Sequence, residues 1–484
     1  MNINSTKFKI FILFLLFVGG FLVRLYRFDG PVADWHSWRQ ADTSAVSRNF
    51  VNEGFDLLHP RFDDLSNVPS GIYDNPKGYR FVEFPIYNIF QAGLFIAFGN
   101  LTIEEWGRIT TIVFSLFSAL FLFLIVRKRG DFITALLAAF FFLFLPFNIY
   151  YDRTILPDPM MITFILGSIY FFDLWVGKEK LSILNPHFLA ALLFSIGAFL
   201  IKPFAGFFML PMVYLVYEKY GWQFIKKWQL WVFALFSLLP FGLWRLWMQQ
   251  YPEGIPQSAW LFNGNNIRFR PSFFRWIFIR RIGELILGFG GAGILLLGLL
   301  QRKNKNYFYF LSFFISSLIY VSVVATGNVQ HSYYQVPIIP SIAILLALGG
   351  AFLVNPPKDS LSKYKTIPLF VIFSVVMFYF SWFYVKDYFN INDRSIIAAG
   401  KAVDKLTPKN AKIIANYNGD TSFLYQTKRK GWASFEKPLP QMINMGASYL
   451  VLANPTKVDL DLGKTYKIVS QSAQYVIFDL NKKP

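Results

Sequence analysis

Cysteine is absent from the 484-residue chain, and only 15% of its residues are charged. The absence of cysteine excludes disulfide bonds and metal sites with cysteine ligands. Soluble domains carry about a quarter charged residues, so the second deficit argues against an ordinary soluble protein. The chain is instead 55% hydrophobic and contains 57 phenylalanines, many in long runs such as AAFFFLFLPF at 138–147. Recurring runs of this length predict membrane-spanning helices.

The excess of basic over acidic residues gives a formal net charge of +19. The lysines and arginines lie mainly in short connections between apolar runs, which is the distribution that sets membrane topology. No soluble segment carries a basic stripe with interleaved aromatic residues. The charge therefore indicates contact with membrane lipids rather than with nucleic acid.

The apolar runs predict about eleven membrane helices. The first run, 8–28, is longer than the core of a signal peptide and has no small-residue cleavage site after it, so we expect a retained anchor helix. The other ten are expected near 105–126, 132–150, 158–176, 186–201, 204–218, 229–248, 282–300, 307–325, 333–353 and 367–386.

Alternate connections between these helices are short and basic. By the positive-inside rule they lie in the cytoplasm with the N-terminus, and an odd number of spans places the C-terminal end outside the inner (plasma) membrane. Arg24 and Arg27, at the outer end of the first helix, depart from this pattern. The topogenic residues are Arg127, Lys128, Arg129, Lys178, Lys180, Lys219, Lys226, Lys227, Arg302, Lys303, Lys305, Lys358, Lys363 and Lys365.

Two predicted outer connections, 29–104 and 249–281, are long, and long connections in compact proteins are usually functional. We expect residues 1–390 to form the membrane domain and 391–484 a small extracytoplasmic α/β domain. The helices and strands of this terminal domain are expected at 395–406, 411–417, 421–427 and 447–453, followed by a terminal strand pair.

The first long connection opens with Asp34, His36, Arg39 and Asp42. The apolar residues that follow recur at helical spacing and predict a helix along the membrane surface. Either aspartate could serve as a proton acceptor, or it could only cap this helix. Glu83 opens a further apolar stretch and could likewise be a ligand or a helix-start residue.

The other outer connections carry isolated charges. Asp158 needs a cationic partner such as Arg153, or caps its helix. Lys202 stands between two hydrophobic segments, and His331 and Tyr334 precede the tenth span. The second long connection concentrates arginines, whose planar side chains suit phosphate, at Arg268, Arg270, Arg275, Arg280 and Arg281.

Together these residues predict a site for an anionic, membrane-embedded substrate and for a group that a carboxylate can deprotonate. A divalent metal remains open, because several hard ligands are present but no spacing demands a metal. The candidate ligands are Asp34, His36, Asp42, Glu83 and Asp158.

The order of these motifs resembles that of the GT-C glycosyltransferases, particularly the bacterial branch related to protein O-mannosyltransferases and the lipid A aminoarabinose transferase. The resemblance covers most of the membrane region. It consists of an acidic first connection with a helix ending at Gly54, the Glu83-Phe84-Pro85 element, the Arg153 to Asp158 connection, and the Lys202-Pro203 and His331 to Tyr334 segments.

The resemblance implies a polyprenyl-phosphate-linked sugar donor, a lipid, glycan or protein acceptor, and inversion at the anomeric carbon. It also implies that a first-connection aspartate is the general base and that cationic groups hold the lipid phosphate. Two positions depart from the family pattern: the usual acidic pair falls nearer Arg39 than Asp42, which keeps Asp34 as an alternative base, and Glu83 stands where relatives often have lysine. The alternatives are a glycan polymerase or ligase with a lipid-linked donor and a transporter of an anionic substrate.

Overall fold

A computed structural model describes residues 5–302, 304–357 and 362–484 of the chain. Two of the residues used to predict the topology, Lys303 and Lys358, lie outside these ranges. The contacts divide the chain into two units. Unit 1 contains Met1–Phe28, Thr111–Leu243 and Ser258–Asp387, and unit 2 contains Asp29–Thr110, Trp244–Gln257 and Tyr388–Pro484.

Most of the chain is helical. Within the described ranges, six helices are long and apolar enough to span a membrane: Thr6–Val23, Ile103–Arg129, Asp158–Val176, Trp228–Met248, Ser332–Val354 and Lys363–Val385. A bent pair, Pro271–Ile286 and Gly290–Leu299, is a seventh candidate span. Shorter apolar helices are Ile86–Phe98, Phe132–Phe144, Pro186–Ile201 and Tyr307–Val323.

Further helical segments connect these elements. They are Ser37–Glu53, Pro146–Tyr151, Pro203–Met209, Leu210–Tyr220, Gly221–Lys226, Pro252–Gly254, Trp260–Asn263, Gly264–Phe269, Ala325–Gln330 and Lys386–Phe389. Each predicted span coincides with one or two of these helices, and the predicted class of multi-pass helical membrane protein with a small terminal α/β domain is confirmed. The number eleven stays a prediction.

Helix Ile103–Arg129 shows how the sequence sets the ends of a span. Glu104 and Glu105 lie in its first turn, and three basic residues lie in its last turn. These charges complement the partial charges at the two helix ends. Thr102 and Glu105 also form a reciprocal capping pair, since the Glu105 carboxylate accepts from the Thr102 backbone at 2.7 Å and the Thr102 hydroxyl accepts from the Glu105 backbone at 3.2 Å.

The span predicted near 282–300 is broken in the structure. The chain there forms Pro271–Ile286 and Gly290–Leu299, which are bent by 110° relative to each other. Gly288, at the bend, has a φ of +46°, and a Cβ on it would lie 2.2 Å from the Met377 carbonyl oxygen. Only glycine fits this left-handed, closely packed position, so the helix breaks there.

Unit 2 contains one five-stranded sheet in the order β2-β1-β3-β5-β4. β1 pairs in parallel with β2 and β3, whereas β5 pairs antiparallel with β3 and β4. The strands are β1 (Lys412–Ala415), β2 (Gly431–Trp432), β3 (Ala447–Ala453), β4 (Lys467–Gln471) and β5 (Tyr475–Asp479). The strands predicted at 411–417 and 447–453 and the terminal strand pair are confirmed.

The helices of the terminal segment are Arg394–Leu406, Ser422–Thr427, Leu439–Asn444, Lys457–Leu460 and Asp461–Lys464. In the first of them Ile396, Ala399 and Val403 recur at helical spacing, and all three pack into a core with strand residues such as Ile413 and Ile477. The helices predicted at 395–406 and 421–427 are therefore confirmed.

The first long connection packs against this sheet within unit 2. The Leu65 backbone donates to Gly431 at 2.7 Å, and the Gly431 backbone donates to Asp63 at 3.0 Å, which continues the sheet beyond β2. Unit 2 therefore joins the terminal segment to part of the region predicted as membrane domain. The predicted boundary at residue 390 stays a prediction.

Candidate functional site

The helix Ser37–Glu53, called here the first-loop helix, carries Asp42 near its middle. Its N-cap residue is His36, in the left-handed conformation and without a side-chain capping bond. Asp42, which lies beyond the first turn of the helix, therefore does not cap it. Most of its residues are buried, including polar ones such as Gln40 and Ser44, because it packs against Ile86–Phe98 and Ser422–Thr427. The predicted helix is therefore present and is buried on most sides within unit 2, and its position along the membrane surface stays a prediction.

Both carboxylate oxygens of Asp42 have a partner. Arg80 Nη2 lies 2.6 Å from Oδ2, and the Thr421 hydroxyl donates to Oδ1 at 2.6 Å. Asp42 and Arg80 are both largely buried. A buried carboxylate is costly unless it is paired, and this arrangement compensates its charge and fixes its orientation. Sequence reasoning missed both partners, since Thr421 is 379 positions away and Arg80 stands in no motif.

The alternative base, Asp34, has a different environment. The Gln40 side chain donates to its Oδ1 at 2.7 Å, and the Asn392 side chain donates to its backbone carbonyl at 2.8 Å. Asp34 is nearly completely buried, immediately before the first-loop helix. The carboxylate thus bonds to the first-loop helix, and the backbone carbonyl of the same residue bonds to the terminal segment.

Glu83 forms a buried ion pair with Arg39. The two Glu83 oxygens lie 2.6 and 2.8 Å from Arg39 Nη2, and Arg39 Nη1 donates to the Thr43 hydroxyl at 3.1 Å. Glu83 lies three residues before the first residue of helix Ile86–Phe98 and is not part of that helix. The ion pair with Arg39, rather than the helix dipole, therefore accounts for its position. The pair also compensates the charge of Arg39, which the sequence predicted to bind substrate.

A small cleft joins these two ion pairs within unit 2. The space in which the centre of a water molecule fits is about 10 Å³, so the cleft holds roughly one water molecule. It brings together Asp42, Arg39 and Glu83 from the predicted set and adds Arg80. Its lining residues are Arg39, Asp42, Thr43, Val46, Pro60, Arg80, Glu83, Pro85 and Asn88.

Two further carboxyl groups of unit 2 interact electrostatically with Asp42. Burial raises the pKa of Asp64 to about 7, against the lowering effect of its hydrogen bonds with Ser66, and the nearby charge of Asp42 raises it further. Burial also raises the pKa of Asp420, with hydrogen bonds from Ser422 opposing the shift and Asp42 again contributing. Protonation near neutral pH reduces the repulsion that Asp64 exerts on Asp42.

This shift predicts a pH-dependent stability. Because the folded state raises the pKa of Asp64, the folded protein binds this proton more tightly than the unfolded chain does. The stabilisation is complete below about pH 4 and is lost as the pH rises through about 7. Between these pH values the wild-type protein should lose about 1–4 kcal/mol of folding stability through Asp64, and Asp64→Asn should not show this loss. Unfolding followed at pH 5, 6, 7 and 8 measures it, with the exposed Asp56→Asn as control; parallel profiles for wild type and Asp64→Asn would contradict it.

In unit 1, Asp158 and Lys202 form a further buried ion pair. Lys202 Nζ lies 2.7 Å from each Asp158 oxygen, and it lies 5.7 and 5.9 Å from the ring centres of Tyr333 and Tyr334. Lys202 ends helix Pro186–Ile201, and Asp158 is the first residue of its own helix but makes no capping bond. The predicted cationic partner of Asp158 therefore exists, and it is Lys202.

Asp152 pairs with Arg24 at 2.7 Å, and both side chains are completely buried. Arg24 also donates to the carbonyls of Gly20 and Leu143 at 2.8 and 2.9 Å. This pairing explains why Arg24 departs from the positive-inside pattern. Arg153, predicted to bind substrate, donates to the Arg27 carbonyl at 3.2 Å.

The arginines of the second long connection have separate partners. Arg268 donates to the Val323 carbonyl at 3.0 Å and Arg281 to the Val329 carbonyl at 2.7 Å. Arg280 pairs with Glu284 at 2.8 Å on an exposed helical face, and Arg270 is exposed. The structure thus commits Arg268 and Arg281 to backbone carbonyls and leaves Arg270 accessible to an anionic partner.

His331 lies among aromatic rings. Its ring centre is 5.6 Å from that of Tyr333 and 5.8 Å from that of Trp260. Its neighbour Ser332 shares a hydrogen bond of 2.6 Å with Tyr151. As for a metal, residues 5–302, 304–357 and 362–484 contain no group of three or more histidine, cysteine, aspartate or glutamate residues able to hold one.

Comparison with known proteins gives a family match for part of the chain and several structures with a similar fold. Residues 83–247 match the family described as dolichyl-phosphate-mannose-protein mannosyltransferase. A search of curated proteins finds no match. Over 98% of both chains, the structure is similar to ArnT from Cupriavidus metallidurans bound to undecaprenyl phosphate, with 12% identity and a TM-score of 0.66. The apo state of that ArnT gives 13% identity and a TM-score of 0.63 over 96% of this chain and 97% of the other.

A second similar structure is the archaeal oligosaccharyltransferase AglB from Archaeoglobus fulgidus, in complex with an inhibitory peptide and a dolichol-phosphate. Its identity is 11% and its TM-score 0.59, over 97% of this chain and 74% of the other. The chain therefore has a fold similar to that of both structures, in agreement with the GT-C-like fold that the motifs predicted. Together, the match of residues 83–247 and the shared fold indicate a multi-pass membrane glycosyltransferase, as the motifs predicted.

Proposed function

We propose that the protein transfers a sugar from a polyprenyl-phosphate-linked donor to an acceptor hydroxyl, with Asp42 as general base and with inversion at the anomeric carbon. The observation that carries the proposal is the buried Asp42 carboxylate, held at both oxygens by Arg80 and Thr421. Two similar glycosyltransferases were solved with undecaprenyl phosphate and with a dolichol-phosphate, which supports a lipid-phosphate donor.

The reaction requires one proton acceptor and one stabilised leaving group. The acceptor oxygen forms a bond to the anomeric carbon while the bond from that carbon to the phosphate oxygen breaks. The hydroxyl proton passes to Asp42, and the polyprenyl phosphate leaves with the bonding electrons. Attack from the face opposite to the leaving group inverts the anomeric configuration. General-base catalysis of this kind contributes about 10²–10⁴-fold to the rate.

Arg80 and Thr421 would control when the Asp42 carboxylate can accept the proton of the acceptor hydroxyl. While Arg80 binds Oδ2 and Thr421 binds Oδ1, each oxygen already has one partner, and the ion pair with Arg80 restricts the approach of the acceptor hydroxyl to Oδ2. We infer that an anionic group of the substrate attracts Arg80 away from Oδ2, because a phosphate competes well for a guanidinium. Thr421 then keeps the carboxylate oriented.

The buried Lys202 is our candidate for the cation that stabilises the leaving phosphate, with Asp158 holding it in place. Tyr334, beside Lys202, and the accessible Arg270 are further candidates for donor contacts. The other predicted substrate-binding residues, His36, Arg39, Glu83, Arg153, Arg268, Arg280 and His331, stay predictions.

Thr421 gives a prediction specific to this arrangement. Thr421→Val keeps the shape of the side chain but removes the hydrogen bond to Asp42. A hydrogen bond to a charged group contributes about 1.5–3 kcal/mol, so kcat should fall about 10–100-fold with KM unchanged. Thr421→Ser should retain most of the activity. Steady-state kinetics of both variants measures the effect, and an unchanged kcat in Thr421→Val would show that Asp42 does not depend on this bond.

We place the reaction on the extracytoplasmic side of the inner membrane, because the basic connections predict a cytoplasmic N-terminus and an extracytoplasmic terminal domain. A protease site inserted at the exposed Ser472–Gln474 turn should then be cut in spheroplasts. A matched site at the exposed Glu179 should be cut only in inverted vesicles. The reverse pattern would place the terminal domain in the cytoplasm.

A glycan ligase with a lipid-linked donor remains the second candidate, favoured by the likeness to AglB. Mass spectrometry of lipids that copurify with the protein tests the donor class shared by both candidates. We expect a polyprenyl phosphate or its glycosylated form to copurify in detergent, and to be displaced by added polyprenyl phosphate. Consistent recovery of phospholipids alone, with no retention of added polyprenyl phosphate, would contradict the proposal.

A further inference from the structure

Unit 1 contains an apolar cavity that the proposed reaction does not use. Its volume is about 280 Å³, and only two of its lining residues, Ser195 and Ser237, are polar. It lies between the helices Asp158–Val176, Pro186–Ile201, Leu210–Tyr220 and Trp228–Met248. The lining residues are Phe172, Ser195, Phe199, Met209, Met212, Val213, Val216, Phe224, Leu230, Trp231, Phe233, Ala234, Ser237 and Leu238.

An apolar cavity of this size is unfavourable when it is empty. Protein interiors are close-packed, and the lining of an empty space loses its dispersion contacts on one side. The wall includes exposed side chains, among them Val213, Trp231 and Leu238, so the cavity opens to the surface of these helices. A hydrocarbon chain from the surrounding membrane matches both the lining and the opening.

The chain at one end of the cavity is basic. Lys226 and Lys227 lie in sequence between Phe224 and Leu230, which both line the cavity. At no more than about 3.6 Å per residue, both lysine backbones lie within roughly 11 Å of a lining residue. Lys226 is exposed and has no ion-pair or hydrogen-bond partner for its ammonium within the described chain, whereas Lys227 lies over the Tyr220 ring at 5.1 Å.

Tryptophans surround the same two lysines. Trp222, Trp228 and Trp231 are 72%, 57% and 59% exposed. Tryptophan is enriched at the boundary between lipid headgroups and hydrocarbon. Three exposed indoles therefore indicate that this part of the protein lies at that boundary. The Trp231 indole also donates to the Ile225 carbonyl at 2.8 Å, which joins the short helix Gly221–Lys226 to the cavity wall. The lysines therefore stand at headgroup height beside an apolar cavity.

We propose that this cavity binds an anionic phospholipid, with one acyl chain among the lining residues and the phosphate at Lys226 and Lys227. Basic groups between membrane helices attract anionic headgroups, at roughly 1 kcal/mol for each lysine near the surface. The cavity supplies affinity for any acyl chain, and the two lysines supply the preference for negative charge. This site is independent of the proposed glycosyl transfer.

Native mass spectrometry of the full-length, delipidated protein tests the proposal. The probes are phosphatidylglycerol and phosphatidylethanolamine with identical acyl chains. We expect phosphatidylglycerol to bind about 10–30-fold more tightly. Lys226→Glu with Lys227→Glu should abolish this preference, whereas the control pair Arg302→Glu with Lys305→Glu, at another basic connection, should preserve it.

A second pair of variants tests the acyl-chain cavity. Ala234→Trp, which fills the cavity, should weaken both lipids about equally, and Leu235→Trp, on a neighbouring exposed residue outside the lining, should not. Three results would overturn the proposal: equal affinity for the two lipids, loss of preference in the control pair as well, or unchanged binding in Ala234→Trp. Displacement of phosphatidylglycerol by polyprenyl phosphate, sensitive to Ala234→Trp, would assign the cavity to the donor instead.

Discussion

Asp42→Asn is expected to lower the rate of glycosyl transfer by about 10²–10⁴-fold, the contribution of a general base. Asparagine keeps the size of the side chain and can still accept the hydrogen bond from Thr421, but Arg80 loses its charged partner, so the folding of the variant is checked together with its activity. It cannot accept the proton of the acceptor hydroxyl. The rate of product formation by the purified variant, at saturating donor and acceptor, measures the effect.

The matched control is Asp34→Asn. This aspartate is also buried and lies in the same connection, but its carboxylate accepts a hydrogen bond from Gln40. It should lose activity only to the extent that the start of the first-loop helix is disturbed. Full activity in Asp42→Asn together with loss of activity in Asp34→Asn would transfer the role of base to Asp34.

The second large effect is expected at Lys202. Its removal takes away a buried cation that we assign to the leaving phosphate, and loss of one such group costs about 10²–10³-fold in rate. Lys202→Met alone would also leave the buried Asp158 carboxylate without its partner, which costs about 3–5 kcal/mol of stability. The informative variant is therefore Lys202→Met with Asp158→Asn, which removes both charges.

We expect the double variant to fold and to insert in the membrane, but to lose donor binding and transfer. The matched control is Arg24→Met with Asp152→Asn, which removes the other completely buried ion pair of unit 1 and should preserve donor affinity. Titration of polyprenyl phosphate against both purified variants distinguishes them. Equal donor affinity in the Lys202 variant and in the control would show that Lys202 is only structural.

Much of the fold could be predicted because it depends on local patterns. Apolar runs bounded by basic residues located the membrane helices, and the spacing of Ile396, Ala399 and Val403 located the first helix of the terminal segment. The bend at Gly288 could not be predicted in this way. It depends on the close approach of the Met377 backbone, which is 89 positions away along the chain, and no local pattern records it.

The candidate site could be predicted only in part, for the same physical reason. Carboxylates in a membrane protein are costly and therefore conspicuous in sequence, so Asp42, Asp158 and Glu83 could be found. Their partners are set by tertiary packing. Arg80 and Thr421 become visible beside Asp42 only when the first long connection packs against the terminal segment, and Arg39 is compensated only because Glu83 folds back onto it.

The central claim is tested most directly by a single-turnover reaction of the purified protein in liposomes with a defined polyprenyl-phosphate-linked sugar. Our account predicts that one polyprenyl phosphate is released for each sugar transferred, and that nuclear magnetic resonance of the product shows the anomeric configuration inverted. Asp42→Asn should bind the donor but release no polyprenyl phosphate. Transfer with retained configuration, or the same burst of release in Asp42→Asn, would contradict the account.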